Sequence, residues 1–387
     1  MTQWTCTLCH EEISDPKPEY CPNCSADAAM ILDREKELPQ DLEAARTRAR
    51  TLLKGFCAAY PACDGNFDKI CQREAYGKPI GFGGAGQGIS FRANTQALLD
   101  IRLKTSVVGD HFVPDTTTRI FGKDIEFPVM ASSTAGVQGY NQVMDETQFC
   151  KAVVRGAKEA GTIALRGDTW FYTPESYPGL DSIEDSGGWG IQIFKPRSQD
   201  VIKSLIERAE AIGCIAVGVD LDGCGSTNMA AHGQPVFRKS VGDIKELVSF
   251  SSLPFIAKGV MTADDAQKCA EAGVSAIGVS NHGGRVLDGT PGVAEVLHNI
   301  RQAVGKEMTL TADGGVRTGY DVLKMLALGA DAVMLGRDLI RAAVGGGTLG
   351  VRLHLNHIKK VLRHAMLMTG TRTIEMAGPR IIENFKP

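Results

Sequence analysis

TLTADGGVRTGYDVLKMLALGADAVMLGR, residues 309–337, contains two short apolar runs, each ending in polar residues and glycine, on either side of a stretch with helical periodicity. A strand-length run, a glycine-rich turn, an amphipathic helix and a second strand-length run make a unit whose two strands run parallel, because the helix returns the chain to the same edge. The same alternation extends backwards along the chain. Strand-length runs recur at FPVMASS (127–133), GTIALRG (161–167), WGIQIF (189–194), IAVGVD (215–220), PFIAKG (254–259) and AIGVSN (276–281). Between them lie helical stretches such as SQDVIKSLIERAEAIG, TADDAQKCAEAG and VAEVLHNIRQAVG. Eight strand–helix units in about 230 residues are the number and length that close a parallel (β/α)8 barrel. The fold class is therefore α/β, a TIM barrel over residues 80–387. TRIFGKDIEF (118–127), ahead of the first barrel strand, reads as a hairpin plugging the barrel's bottom.

The totals set limits. The chain has 387 residues, enough for one large domain and something small, and its 42 basic and 45 acidic residues are mixed, which gives no footprint for nucleic acid. No apolar run is long enough for membrane insertion, and the start lacks a secretory signal, so the protein is expected in the cytoplasm.

The N-terminus is separate in character. Residues 4–30 carry Cys6, Cys9, Cys21 and Cys24 as two C-x2-C turns, which can aim four thiolates at one tetrahedral ion. So short a segment has no core of its own, and a metal would supply its folding energy. With Trp4 and the Cys21-Pro22 step, residues 1–30 resemble the rubredoxin-like domain at the end of rubrerythrins. That resemblance implies iron, with a structural zinc knuckle as the competitor. Residues 31–79 read as a linker, with a helix from about Asp41 to Lys54, followed by Cys57, Cys63 and Cys71. Three thiols do not complete a four-ligand set, so an additional Fe–S cluster would need a borrowed ligand; reduced or redox-sensitive thiols are the other reading.

Chemistry in such barrels sits at the carboxyl ends of the strands. Here five consecutive strands end in Asp220, Lys258, Asn281-His282, Asp313-Gly314-Gly315 and Gly336-Arg337. His282 can accept a proton near neutral pH and Asp220 can orient it. Lys258 supplies a fixed positive charge, and Arg285 a planar fork for a carboxylate. Arg317, Gly336 and Arg337 follow strands seven and eight, where barrels commonly bind phosphate, which points to a phosphorylated cofactor.

AKGV, SNHGGRVLDGTP and ADGGVRTGYDVLKMLALGADAVMLGR resemble the FMN-dependent α-hydroxy acid dehydrogenase and oxidase family, which includes glycolate oxidase, lactate oxidase and the flavin domain of flavocytochrome b2. The resemblance implies that His282 is the base, with Asp220 its partner. It sets Lys258 against the flavin pyrimidine and Arg285 on the substrate carboxylate. Ser132, Ser133, Gln192, Asp313, Gly314, Gly315, Arg317, Gly336 and Arg337 would hold FMN. It also implies a homo-oligomer, a tetramer in many members.

Three family groups are missing. Phe194 stands where a tyrosine is usual, no arginine follows Asp220 in DLDGCGSTNMAAHG, and GFGGAGQG (81–88) has Gly81 or Phe82 at another tyrosine position. Arg166, Lys195, Arg197, His232 and Arg238 are candidate replacements. The expected function is oxidation of a 2-hydroxy acid or related alcohol to the keto product. Its electrons are expected to pass to an iron–tetrathiolate centre, with the final acceptor unassigned. The competing readings are a flavin electron-relay protein with little turnover and a type 2 isopentenyl-diphosphate isomerase-like FMN enzyme.

Overall fold

The computed structural model describes residues 2–53, 84–85, 88–140, 143–173 and 175–385; Cys57, Cys63, Cys71 and most of the GFGGAGQG stretch lie outside them. The N-terminal unit is a three-stranded antiparallel sheet in the order β2-β1-β3, formed by β1 (Gln3–Cys6), β2 (Glu12–Ser14) and β3 (Ile31–Asp33). The third strand carries the unit slightly past residue 30. Helix α1 (Leu42–Leu52) follows, capped by the Asp41 carboxylate on the Ala44 amide, and then α2 (Ile89–Asp100).

A hairpin of β4 (Thr118–Ile120) and β5 (Lys123–Ile125) precedes eight parallel strands that close into a barrel. In chain order these are β6 (Val129–Thr134), β7 (Ala164–Arg166), β8 (Ile191–Phe194), β9 (Ala216–Asp220), β10 (Phe255–Val260), β11 (Ala276–Val279), β12 (Thr309–Ala312) and β13 (Ala332–Leu335). The intervening helices are α3 (Glu146–Glu159), α4 (Pro178–Glu184), α5 (Gln199–Ala211), the short α6 (Thr227–Ala231), α7 (Val241–Phe250), α8 (Ala263–Glu271), α9 (Val293–Val304) and α10 (Gly319–Ala327). Helix α11 (Arg337–Met368) ends the series, with a kink at Gly346-Gly347.

Strand pleat divides the side chains into two cores. Met130, Leu165, Ile191, Ile193, Ala216, Ile256, Ala276, Ala332 and Met334 fill the lumen, and Ile120 and Ile125 of the hairpin close it from below. The alternate residues, including Val129, Ala164, Phe194, Val217, Val219, Ala257 and Leu310, pack outward on the helices. This parity decides which residues reach the site.

The N-terminal unit is seated on the barrel wall through its first cysteine turn. The Thr348 amide donates to the Thr7 carbonyl at 2.9 Å, and the Thr348 hydroxyl to the Leu8 carbonyl at 2.8 Å. Arg155 of α3 donates to the same Leu8 oxygen at 3.0 Å, and His10 lies 3.3 Å from Glu159. Gly347 permits this approach: its φ is +56°, and a Cβ there would stand 2.4 Å from the Thr7 carbonyl.

Candidate active site

A cavity of about 420 Å3 opens at the carboxyl ends of the barrel strands. Counting inward by twos from the lumen residues, six of the eight strands deliver a polar group to this layer, and β7 and β13 place Gly167 and Gly336 there. Ser132 lies in β6, Lys195 follows β8, Asp220 ends β9, Lys258 lies in β10, Ser280 follows β11 and Asp313 follows β12.

These groups are linked. Lys258 Nζ lies 3.2 Å from Asp220 Oδ1 and 3.9 Å from Asp313 Oδ2, and donates to Ser280 Oγ at 3.2 Å. Burial opposes the ammonium charge, yet Asp220, Asp313 and Asp222 outweigh it and hold Lys258 above its ordinary range. Asp220 is likewise buried, which favours its neutral form. His282, Lys195 and Lys258 overcome that, and its carboxyl titrates well below the usual carboxylate range. The site thus keeps fixed charges of both signs at neutral pH.

His282 sits just past β11 with φ +56°, a left-handed backbone uncommon outside glycine and often stored at functional sites. Its amide donates to Ser280 Oγ at 3.1 Å. Nδ1 faces two carboxylates, Asp222 Oδ1 at 3.1 Å and Asp220 Oδ2 at 3.3 Å. With Nδ1 so engaged, Nε2 is the nitrogen left to exchange a proton. The loop is braced by α2, where Asn94 donates to Asn281 Oδ1 at 2.8 Å and accepts from the Val293 amide at 3.0 Å.

The other end of the cavity is basic. Arg317 and Arg337 line it with Gly314, Gly315 and Gly336. Arg337 donates to the Gly283 carbonyl at 2.8 Å and lies over the Phe91 ring at 4.6 Å. Arg317 Nε is 3.5 Å from Asp338 Oδ2, which ties this guanidinium to the start of α11.

Most of the residues expected from the sequence meet here. Ser132, Ser133, Lys258, His282, Arg285, Asp313, Gly314, Gly315, Arg317, Gly336 and Arg337 all line the cavity. Asp220 lies directly behind, bonded to Lys258. Gln192 is not brought to it. Since Ile191 and Ile193 occupy the lumen, Gln192 points outward, donating to the Arg166 and Gly167 carbonyls at 3.1 and 3.0 Å and packing against Gly179. Phe194 faces outward for the same reason.

Of the candidate replacements, Lys195 alone lines the cavity. Arg166 is buried behind it, bonded to the Thr134 carbonyl, and His232 stacks on Trp170 at 3.8 Å. Arg197 is clamped on Asp168 at 2.7 and 3.0 Å. Asp168 also accepts the Lys195 amide at 2.9 Å, fixing the strand end from which Lys195 projects. Lys195 Nζ reaches Asp220 Oδ2 at 2.7 Å. Asp168 and Asp222 were not singled out from sequence. Lys195 could have been placed inward by the alternation Ile191, Ile193, Lys195; no local pattern marks Asp168 or Asp222.

Residues 81–239 and 225–384 match the family of FMN-dependent dehydrogenases. The chain belongs to that family. It is 30% identical over 332 residues to the 2-hydroxyacid oxidase of Dictyostelium discoideum, covering 77% of this chain and 84% of the relative. It is 28% identical over 323 residues to an L-lactate oxidase of Lacticaseibacillus rhamnosus, covering 75% and 85%. A crystal structure of Pediococcus acidilactici lactate oxidase superposes with a TM-score of 0.71 at 25% identity, covering 90% of this chain and 96% of that one.

The residues present fit FMN. Asp313 Oδ1 is buried and has no hydrogen-bond partner among the described residues, which suits a ribityl hydroxyl. Arg317 and Arg337 are cations to which a phosphate group could be held, and Lys258 lines the same cavity. In the N-terminal unit, Cys6 and Cys24 sulfurs are 3.6 Å apart and Cys9 and Cys21 sulfurs 3.5 Å, with all four within 4.8 Å of one another. A tetrahedral ion with metal–sulfur bonds of about 2.3 Å sets its ligands roughly 3.8 Å apart, so the four cysteines are spaced to hold a metal. Among the described residues no helix is long and apolar enough to cross a membrane.

Proposed function

We propose that this chain oxidises a small 2-hydroxy acid to the 2-keto acid, with His282 as base. The observation that carries the reading is the convergence of Lys258, His282, Arg285 and Asp313, from three successive strand ends, on one cavity. Arg285 makes no ion pair among the described residues and offers its guanidinium to the substrate carboxylate. His282 Nε2 takes the hydroxyl proton as the carbinol carbon is oxidised, and the two carboxylates at Nδ1 stabilise the imidazolium that forms. Lys258 keeps a positive charge fixed where negative charge develops. Bound FMN supplies the two-electron acceptor for this oxidation. Ser132, Ser133, Asp313, Gly314, Gly315, Arg317, Gly336 and Arg337 are the residues we assign to hold it, with Gln192 supporting the wall from outside.

The support for substrate class is the family's record: the relatives named above are oxidases of lactate and of 2-hydroxy acids. The support for altered recognition is the outward-facing Phe194 and the presence of Lys195 in the cavity. The test is anaerobic mixing with a panel of 2-hydroxy acids while flavin absorbance is followed. Bleaching by at least one member is expected; retention of FMN with no bleaching by any hydroxy acid contradicts the reading.

We also assign the four-cysteine unit as an iron site and as the electron outlet. Its first cysteine turn is hydrogen-bonded to α11, the helix that begins at the phosphate end of the cavity. Thr348 follows Arg337 by eleven residues and lies just past the Gly346-Gly347 kink. Metal analysis and loss of iron absorbance on anaerobic substrate addition test this. The buried seat of the same turn favours a second reading, in which the metal fixes the turn as a structural brace; zinc in the purified protein establishes that one.

A further inference from the structure

We propose that Asp222, rather than Asp220, is the carboxylate that positions His282 and governs its proton affinity. The inference rests on the reading of His282 as the base, and concerns which neighbour acts through it.

The two carboxylates facing His282 Nδ1 are not equivalent. Asp220 is already satisfied: Oδ2 accepts from Lys195 at 2.7 Å and Oδ1 from Lys258 at 3.2 Å. Its charge is shared between two lysines before the imidazole is reached at 3.3 Å. Asp222 feels Lys258 only through space, and among the described residues no lysine is hydrogen-bonded to it. Its Oδ1 lies 3.1 Å from Nδ1, and its Oδ2 is buried with no hydrogen-bond partner among the described residues. Two carboxylates so close repel, and the one without bound cations depends on the imidazolium for compensation.

The seat of Asp222 is built by the strand beside it. The pairing of β10 with β11 shifts register between Lys258 and Val260, so Gly259 bulges with φ +91°. A Cβ on Gly259 would lie 2.5 Å from Asp222 Cγ. One bulge thus aims Lys258 at Asp220 and leaves the space in which the Asp222 carboxylate meets the histidine. The remaining charged groups around His282 are Asp313 beyond β12, Arg337 at the start of α11, joined to the loop through the Gly283 carbonyl, and Arg285 on the loop itself. None contacts Nδ1.

The arrangement explains why Lys195 is tolerated. Lys195 weakens the Asp220–His282 pair by competing for the same oxygen, and Asp222 takes over that pairing. The orienting carboxylate has moved two residues along the chain, and the freed inward position after β8 now carries a cation.

The test is a titration of the FMN-loaded protein labelled with 13C-histidine. The chain has eight histidines, and His282 is assigned by the resonance missing in His282→Gln. Asp222→Asn is expected to lower the His282 pKa by about one unit or more, since an opposite charge in contact shifts a titration by that much. The acid limb of the pH profile for flavin reduction should move down with it. In Lys195→Met/Asp222→Asn, where Asp220 is released to the imidazole, most of the shift should be recovered. If Asp222→Asn does not fold, Gly259→Ala displaces the same carboxylate and should move the same resonance in the same direction. An unchanged His282 titration in a variant that keeps its flavin spectrum overturns the proposal. So does a shift that Lys195→Met fails to recover. Because the titration needs no turnover, loss of the base assignment would show separately, as normal flavin reduction in His282→Gln.

Discussion

Replacing Gly347 by alanine should unseat the N-terminal unit from the barrel. Gly347 has φ +56° and ψ −141°, a region that residues with a Cβ enter at a cost of about 1–3 kcal/mol. The added methyl would also stand 2.4 Å from the Thr7 carbonyl, which accepts the Thr348 amide at 2.9 Å. Losing that hydrogen bond removes about 1 kcal/mol more. The sum, about 2–4 kcal/mol, weakens docking roughly 30- to 1,000-fold. Hydrogen exchange at the Thr348 amide is the assay, because its bond to the Thr7 carbonyl crosses the seat and local opening exposes it. Gly233→Ala is the control: it shares a positive φ, at +71°, but nothing lies within 4 Å of its added methyl. Exchange should rise in Gly347→Ala and stay unchanged in the control. Equal protection in both proteins would refute the reasoning that this glycine seats the cysteine turn. If the turn is also the electron outlet, the variant should keep substrate-driven flavin bleaching while iron reduction slows.

Other outcomes follow from the same geometry. Phe194→Tyr should not strengthen hydroxy-acid binding; burying a hydroxyl in the outward layer should instead cost about 1–3 kcal/mol, seen as a lower denaturant midpoint. His354, buried in α11, is held by burial down to about 4. Its neutral form stabilises the fold fully above pH 6.5. As pH falls from 6.5 to about 4 the unfolded chain takes a proton that the folded chain refuses, losing about 3 kcal/mol. His354→Leu should flatten that part of the stability–pH curve. Removing the metal with a chelator should expose the first cysteine turn to exchange and to thiol reagents while the barrel keeps its far-UV signal.

The barrel was legible because each strand-length run in this chain is bounded by glycine and followed by a helix of matching period. The hairpin at residues 118–127 was legible too, and its Ile120 and Ile125 do close the lumen from below. Site residues were legible where they end a strand, as Lys258, His282 and Asp313 do. Family resemblance alone placed Gln192 at the cofactor. Pleat parity sends it outward instead, because Ile191 and Ile193 claim the lumen. The same parity brings Lys195 inward. Asp222 lies past the end of β9 in a short helical turn, where no period operates, and only the bulge at Gly259 reveals its place. The run Gly345-Gly346-Gly347 carries no meaning in isolation. It acquires one when Ala45 and Thr7 are seen against it, their carbonyls 2.2 and 2.4 Å from where a Cβ would stand on Gly345 and Gly347.

The most direct test is a single-turnover comparison of the native protein with His282→Gln. Both should purify with FMN, since His282 is not among the groups assigned to hold it. Mixed anaerobically with a hydroxy acid that bleaches the native flavin, the variant should reduce about 100- to 10,000-fold more slowly, the range expected for loss of a positioned base. Equal rates in the two proteins, or a native protein that takes up no FMN, would contradict the central claim.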